Sequence, residues 1–272
     1  MAAPFYAVFG NPIAHSLSPR IHAMFGAELG IALDYRPIEA SRDHFASKLE
    51  AFARKGGWGA NVTLPLKQDA LSLCTEVSVR ARRCGSVNAL IREGDSWRGD
   101  STDGSGLLRD LGVRHGFNLH DRRCLLLGAG GAARAVAFAL ADGGVAKLAI
   151  ANRTREHADT LAQAIGASAG SVDWDALDQS GPFDLIVHAT AAGHDRAVLA
   201  FPHSLVVPHT LCYDLSYGVA ADAFSRWARE AGATRVSDGL GMLVEQAAES
   251  FAIWHGRMPS TDPVYAALRV AR

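Results

Sequence analysis

Cysteine is scarce in this chain: four in 272 residues, Cys74, Cys84, Cys124 and Cys212, with no C-x-x-C pair among them. Such spacing offers neither a disulfide framework nor a zinc-ligand pattern, and scattered thiols suit a reducing cytosol. The eleven histidines are not clustered at ligand spacing, so no metal is expected. Neither sign of charge is in excess: 27 basic and 28 acidic residues leave a formal net charge of −1. Nucleic acids and anionic membrane surfaces therefore find no electrostatic footprint. No apolar run approaches the roughly 20 residues of a membrane helix. The opening Met-Ala-Ala-Pro-Phe lacks the basic stretch and apolar run of a secretory signal. Internal repeats, charge blocks and low-complexity linkers are absent too, which leaves a cytoplasmic globular protein as the expectation.

What is present fits that class. Apolar residues make up 49% and charged residues 20%, ordinary values for a globular chain. The length is that of about two domains and suffices for a large core. Short apolar runs alternate with helical stretches, the mark of an α/β protein. In the first half Phe5 to Gly10 and Trp58 to Thr63 read as strands. Ser18-Pro19 reads as an N-cap and first helical residue, with Gly30 closing that helix. Ser41 caps a second helix with Phe45, Leu49 and Phe52 on its apolar face, ended by Gly56-Gly57. Ser86 to Arg92, a Gly94-Asp95 turn and Ser96 to Arg98 suggest a hairpin. In the second half, strands are expected at 124–127, 147–151, 183–189 and 211–215, and helices at 130–141, 155–165, 219–231, 240–254 and 263–270. The style changes near Asp103, where a Gly/Asp/Ser/Thr-rich stretch intervenes.

Gly128-Ala129-Gly130-Gly131-Ala132-Ala133 follows a strand, opens a helix and matches G-x-G-x-x-A. Gly128 permits the tight turn, Gly130 a close approach of backbone to a pyrophosphate, and Ala133 close helix–strand packing. Free N–H groups and the helix dipole then receive the phosphates. A glycine turn alone is common in α/β folds, but its place on strand–turn–helix favours a dinucleotide. An NAD-preferring site puts Asp or Glu at the end of the next strand. This chain has Asn152-Arg153-Thr154-Arg155 there, with no acid before Glu156. Arginine pairs with a 2′-phosphate and stacks on adenine, so NADP is expected.

Three polar clusters mark the first half. In His15-Ser16-Leu17-Ser18-Pro19, an extended backbone puts Ser16 and Ser18 on one side, at a helix N-terminus suited to a carboxylate. Taken alone, Ser18 is simply a cap. In Asn61-Val62-Thr63-Leu64-Pro65-Leu66-Lys67, Asn61 and Thr63 share a strand face, and Pro65 starts a helix carrying Lys67 in its first turn. The third joins Ser86-Val87-Asn88 with Gly99-Asp100-Ser101-Thr102-Asp103-Gly104, where Asp103 in isolation is a helix cap. Together they offer an acid/base lysine, a carboxylate and neutral hydrogen-bonding groups, a set suited to a small polyhydroxylated anion.

Nine segments in order resemble the shikimate dehydrogenase family: G-N-P-I-A-H-S-L-S-P, N-V-T-L-P-L-K, G-S-V-N-A, G-D-S-T-D-G, G-A-G-G-A-A-R, N-R-T, H-A-T-A-A-G, Y-D-L-S-Y-G and D-G-L-G-M-L-V-E-Q-A. The resemblance implies a two-domain α/β fold, an N-terminal substrate domain (1–103 and 240–272, discontinuous) plus a Rossmann-type NADP-binding domain (104–239), with a cleft between them. It implies reversible NADPH-dependent reduction of 3-dehydroshikimate to shikimate by direct hydride transfer without metal, on the route to chorismate and aromatic amino acids. Lys67 and Asp103 look like the catalytic pair, Lys67 supplying the proton. Ser16 and Ser18, with Tyr217, resemble carboxylate binders. Thr63, Asn88, Asp103 and Gln246 resemble contacts to ring hydroxyls; Asn61 falls in the same family motif and is placed with the substrate-binding residues, its alternative role being to hold the loop. Gly128, Ala129, Gly130, Gly131, Ala132, Asn152, Arg153, Thr154, Arg155, Thr190, Leu215 and Gly239 resemble cofactor positions, and Met242 the residue beside the nicotinamide. Leu17, Val79, Ser101 and His157 depart from common family residues, His157 leaving the phosphate chiefly to Arg153. A quinate/shikimate dehydrogenase of relaxed selectivity and a non-catalytic NADP-binding regulator are the alternatives; a monomer or homodimer is expected.

Overall fold

The computed structural model describes residues 4–190 and 200–270. The chain divides into two compact units, residues 1–106 with 243–272 and residues 107–242.

The first unit is built on a mixed sheet. Its strands are β1 (Phe5–Gly10), β2 (Asp34–Glu39), β3 (Gly57–Val62), β4 (Glu76–Val77), β5 (Ala89–Glu93) and β6 (Ser96–Asp100), in spatial order β2-β1-β3-β5-β6-β4. β1 pairs in parallel with β2 and β3, while β5 runs antiparallel to both β3 and β6. The hairpin of β5 and β6 turns at Gly94, whose φ of 60° places it in the left-handed region. Helices α1 (Ser18–Leu29), α2 (Arg42–Arg54), α3 (Lys67–Ser72), α4 (Val79–Cys84) and the start of α5 (Asp103–Val113) complete this half. Phe45, Leu49 and Phe52 of α2 are buried as their spacing requires, packed with Phe9, Val62 and Leu90.

Four local readings need correction. Ser18 is the first residue of α1, not its cap; Leu17 takes that position in helical conformation. A helical Leu17 excludes the extended run on which the shared face of Ser16 and Ser18 depended. Ser41 does hold the cap position of α2, but its hydroxyl lies 2.9 Å from His44 Nδ1 rather than bonding backbone. Pro65 precedes α3, which begins at Lys67 itself after Leu66. β2, β4 and α4 carry too little periodicity to be anticipated.

The second unit holds an all-parallel sheet of β7 (Arg123–Leu127), β8 (Lys147–Ala151), β9 (Ala169–Ser171), β10 (Leu185–His188), β11 (Leu211–Asp214) and β12 (Arg235–Ser237). Their order is β12-β11-β10-β7-β8-β9. Read from the far edge this is 3-2-1-4-5-6, the doubly wound order that binds dinucleotides where the strand order reverses. Leu125, Leu126, Leu148, Ile150, Ile186 and Val187 are fully buried, as parallel strands covered on both faces demand. Helices α6 (Gly131–Asp142), α7 (Arg155–Ile165) and α8 (Asp222–Glu230) belong to this unit, whereas α9 (Leu240–His255), from Leu243 onward, and α10 (Asp262–Val270) belong to the first. The single helix expected at 219–231 is a 3-10 turn, Gly218–Ala221, followed by α8. Residues 191–193, the last three of H-A-T-A-A-G, lie outside the described residues.

Candidate active site and dinucleotide site

Lys67, at the first position of α3, donates through Nζ to Asp103 Oδ2 at 2.5 Å. Their side chains are only 14% and 5% exposed. A buried ion pair is favoured when its remaining polar atoms are also bonded, and on the carboxylate side the second oxygen is met. Asp103 Oδ1 accepts from the Asn88 amide at 3.0 Å. Asn88 Nδ2 also lies 2.9 Å from Thr102 Oγ1 and 3.0 Å from Gln246 Oε1, and its Oδ1 accepts from the Thr102 backbone N–H at 2.7 Å. Gln246 is anchored in turn, its Nε2 donating to the Leu243 carbonyl at 2.8 Å. The backbone joins in: Val87 N–H donates to the Lys67 carbonyl at 2.9 Å. Thus Lys67, Asn88, Asp103 and Gln246, separated in sequence, meet in one buried network.

Asn61 stands behind this group. Its Nδ2 donates to the Asn88 carbonyl at 3.1 Å and to Ser250 Oγ at 2.9 Å, and its Oδ1 accepts from Tyr35 OH at 2.8 Å. Both of its N–H groups and one acceptor position are thus engaged by the scaffold. Thr63 follows β3, half-buried, its N–H donating to the Phe9 carbonyl at 2.8 Å. Ser16 Oγ accepts from the Ser18 N–H at 3.3 Å, so the two serines meet through a turn. Ser18 is buried and Ser16 half-buried.

A second network braces the same half. Arg80 clamps Asp100 with both arms of its guanidinium, at 2.7 and 2.8 Å, and reaches Glu249 at 2.5 Å. Despite the cost of burial, the Arg80 guanidinium and the Ser78 hydroxyl hold the Asp100 carboxyl below its usual range. Asp100 ends β6, immediately ahead of the segment that carries Thr102 and Asp103.

In the second unit, Gly128 has φ +116°, and a Cβ there would stand 2.8 Å from the Ala189 carbonyl oxygen. Gly130 caps α6 with no side-chain hydrogen bond, and a Cβ at Gly130 would meet nothing within 4 Å. Open space at an uncapped N-terminus of a 12-residue helix fits a pyrophosphate. Ala129, Gly131 and Ala132 are half-buried along the same turn. Past β8, Asn152 Nδ2 donates to the Thr154 carbonyl at 2.9 Å and Thr154 takes the cap position of α7. Arg153 is exposed at that turn. Arg155 differs: it pairs with Asp173 at 2.7 Å and Asp159 at 3.7 Å. These acids offset a cation at a helix start; Arg155 is thus engaged by carboxylates where Arg153 is exposed.

Leu215 and Gly239 come together: a Cβ on Gly239 would lie 2.2 Å from the Leu215 carbonyl oxygen, and Gly239 N–H donates to the Ser216 carbonyl at 2.8 Å. The Met242 N–H donates to Tyr213 OH at 3.2 Å, and that hydroxyl donates to Asp110 Oδ2 at 2.7 Å. Met242 and Gln246 both lie on α9, four residues apart. Tyr217 caps the 3-10 turn at Gly218. Three contributors escaped the sequence reading: Ser250, one turn beyond Gln246; Thr102; and His188. The last ends an otherwise apolar strand, L-I-V-H, a signal that would have found it.

The sequence profile of the shikimate dehydrogenase substrate binding domain matches residues 8–90, that of shikimate / quinate 5-dehydrogenase residues 111–198, and that of the shikimate 5′-dehydrogenase C-terminal domain residues 239–269. A shikimate dehydrogenase (NADP(+)) of Stenotrophomonas maltophilia is 56% identical over 267 residues, 97% of this chain and 95% of that one. Among solved structures, shikimate 5-dehydrogenase from Thermus thermophilus, in complex with NADP(H) and shikimate, superposes with a TM-score of 0.86 at 34% identity, covering 99% of this chain and 100% of that one. Shikimate dehydrogenase from Aquifex aeolicus gives 0.87 at 30% identity, covering 98% of each chain.

Proposed function

The chain belongs to the shikimate/quinate dehydrogenase family, and from that premise we propose the roles of its residues in the reversible, NADP-linked reduction of 3-dehydroshikimate to shikimate. It is an NADP-dependent oxidoreductase of the route to chorismate and the aromatic amino acids. The first unit binds the substrate and the second the dinucleotide, the functional domains being drawn at 1–103 with 240–272 and at 104–239, within three residues of the bounds of the compact units. The cytosol is its compartment, in keeping with four free thiols, three of them buried.

The observation that carries the assignment of the chemistry is the Lys67–Asp103 pair. When bound, the dinucleotide supplies the hydride; its pyrophosphate is held by the Gly128–Ala132 turn, its 2′-phosphate by Arg153, and its nicotinamide half by Thr190, Leu215, Gly239 and Met242. Reduction of a ketone leaves an alkoxide that needs a proton, and the Lys67 ammonium is the group that holds one. Asp103 orients it: with one carboxylate oxygen on Lys67 and the other on Asn88, the ammonium cannot swing freely, and its remaining N–H groups are aimed by that constraint. In the oxidative direction Lys67 takes the proton back. Asn88, Thr63 and Gln246 meet the ring hydroxyls, while Ser16, Ser18 and Tyr217 receive the carboxylate.

Turnover of shikimate and of quinate with NADP and with NAD, followed by absorbance of the reduced nicotinamide, tests the reading. Strong activity with shikimate and NADP alone is expected. Lys67→Ala should lower kcat by roughly 10²–10⁴-fold, the usual worth of a general acid, with little change in shikimate binding. Normal turnover in that variant removes Lys67 from the chemistry.

A further inference from the structure

Two strands of the second unit end on a buried polar pair. His188, last in β10, is the register partner of Asp214, last in β11, and both side chains are essentially inaccessible, at 0% and 1%. His188 Nδ1 lies 2.9 Å from Asp214 Oδ2, and Asp214 Oδ1 accepts the Ser216 N–H at 2.8 Å. On its other side His188 Nε2 lies 2.6 Å from Thr190 Oγ1. The ring stacks on Phe224, centroids 4.8 Å apart and planes within 11°, so it has no room to turn. Burying a carboxylate and an imidazole within a parallel sheet is unfavourable unless each partner is met, and nothing in the sheet hydrogen bonding requires them.

The donors can be assigned from the acceptors. Ser216 N–H meets one Asp214 oxygen, and we assign the hydrogen between the other oxygen and His188 to Nδ1, because a carboxylate only accepts. In the neutral ring Nε2 is then a lone pair, and Thr190 gives it the only hydrogen its hydroxyl has. Whatever else meets that oxygen must donate. Phosphate oxygens cannot; a ribose hydroxyl or a carboxamide NH2 can. Topology says which part of a dinucleotide comes here. β10 flanks β7 on the side opposite β8, and Arg153, the 2′-phosphate candidate, follows β8. Each half of a doubly wound sheet takes one nucleotide, so Thr190 faces the nicotinamide nucleoside. A Cβ on Gly128 would stand 3.3 Å from the Thr190 nitrogen, which fixes the residue against the glycine turn.

We propose that His188, held by Asp214, is a positioning residue that locks the Thr190 hydroxyl as an acceptor for a donor group on the nicotinamide nucleoside. The proposal rests on the placement of the dinucleotide at the Gly128 turn. It is tested on the full chain by calorimetric NADP+ binding to wild type, Thr190→Val, His188→Asn and Arg153→Asp. A long-range 15N–1H histidine spectrum of the wild type is read alongside. Thr190→Val and His188→Asn should each weaken NADP+ about 2–12-fold, the range of one hydrogen bond, and the spectrum should show His188 as the Nδ1–H tautomer. With the 3-acetylpyridine analogue of NADP+, which lacks the carboxamide NH2, wild type and Thr190→Val bind alike if the donor is the carboxamide. They keep their difference if the donor is the ribose. Unchanged NADP+ affinity in Thr190→Val, or a doubly protonated or Nε2–H ring at His188, overturns the proposal even if His188→Asn does not fold. If Arg153→Asp alone loses NADP+, the dinucleotide site stands and only the role of His188 falls. If none of the three variants weakens NADP+, the site assignment falls with it.

Discussion

Asn61 and Ser250 lie 189 positions apart in the chain, yet Asn61 Nδ2 donates to Ser250 Oγ at 2.9 Å inside the first unit. This bond ties β3 to α9, and so ties the strand that leads to Lys67 to the helix that carries Gln246. The discontinuity of the first unit has a structural consequence: α9 returns to complete the buried network around Asp103.

Replacing Asn61 by the near-isosteric aspartate tests that linkage without opening a cavity. The variant loses both donors, toward the Asn88 carbonyl and Ser250, and sets a carboxylate against a carbonyl oxygen. Each unmet buried partner costs about 1–3 kcal/mol, so urea denaturation should show a loss of roughly 2–4 kcal/mol. Tyr35→Phe, which removes only the donor to Asn61 Oδ1, should cost about 1 kcal/mol. An Asn61→Asp variant as stable as the parent would show that the network is dispensable.

The proposed role of Arg153 in coenzyme choice is open to a direct test. That residue is exposed at the end of β8, whereas Arg155 is engaged by Asp173 and Asp159. Charge-assisted bonds to a phosphate contribute about 1.5–3 kcal/mol, so Arg153→Asp should weaken NADP+ by roughly 10–100-fold and leave NAD+ nearly unchanged. Arg155→Ala should change the ratio little. Equal loss of both coenzymes in Arg153→Asp, measured by titration calorimetry, would falsify the assignment.

Gly239 has no space for a side chain. A Cβ would sit 2.2 Å from a backbone oxygen of Leu215, which cannot yield as a flexible side chain could. Gly239→Ala must move the loop between β12 and α9, at a cost of about 1–3 kcal/mol. A melting temperature lowered by a few degrees is expected, together with weaker NADP+ binding if Leu215 and Gly239 take the nicotinamide side as proposed. A variant that melts normally and binds NADP+ normally contradicts that placement.

Much of this was legible in the sequence because each signal was local. The glycine turn, Arg153, and the spacing of Phe45, Leu49 and Phe52 need only neighbouring residues to be read. β2 (Asp34–Glu39) was not, since Arg36, Pro37 and Glu39 interrupt any apolar alternation; its place is set by six register pairs with β1. Ser18 shows the opposite error: serine before proline is a sound cap signal, but the turn at Ser16 brings the helix in one residue early. His188, Asp214 and Ser250 act through partners 26 or more positions away, and pairing at that range is decided by the packed sheet rather than by the chain.

His22 gives the first unit an acid limb. Its ring is fully buried, stacked on Tyr35 at 4.2 Å with planes within 9°, and neither ring nitrogen meets a hydrogen-bond partner. Burial pushes its pKa from 6.5 down to about 3; the Asn61 side chain nearby opposes this without making a well-formed hydrogen bond, and His255 adds to it. A base whose folded pKa is depressed binds its proton only after unfolding, so between these values the unfolded chain takes up the extra proton. Stability from His22 is thus complete above about pH 6.5 and falls as the pH drops toward 3, by about 1.4 kcal/mol per pH unit. Asp100 and Asp110, both held below the usual carboxyl value, act in the same direction but only below about pH 4. Burial lowers His255 as well, so it shares the upper window. His22→Phe keeps a ring in the stack and removes the titration. Urea midpoints measured from pH 8 to pH 4.5 should fall more steeply for the wild type than for His22→Phe, with the gap opening below pH 6.5. Parallel curves would mean that His22 is protonated in the folded protein, against the burial and the unmet nitrogens that set its pKa.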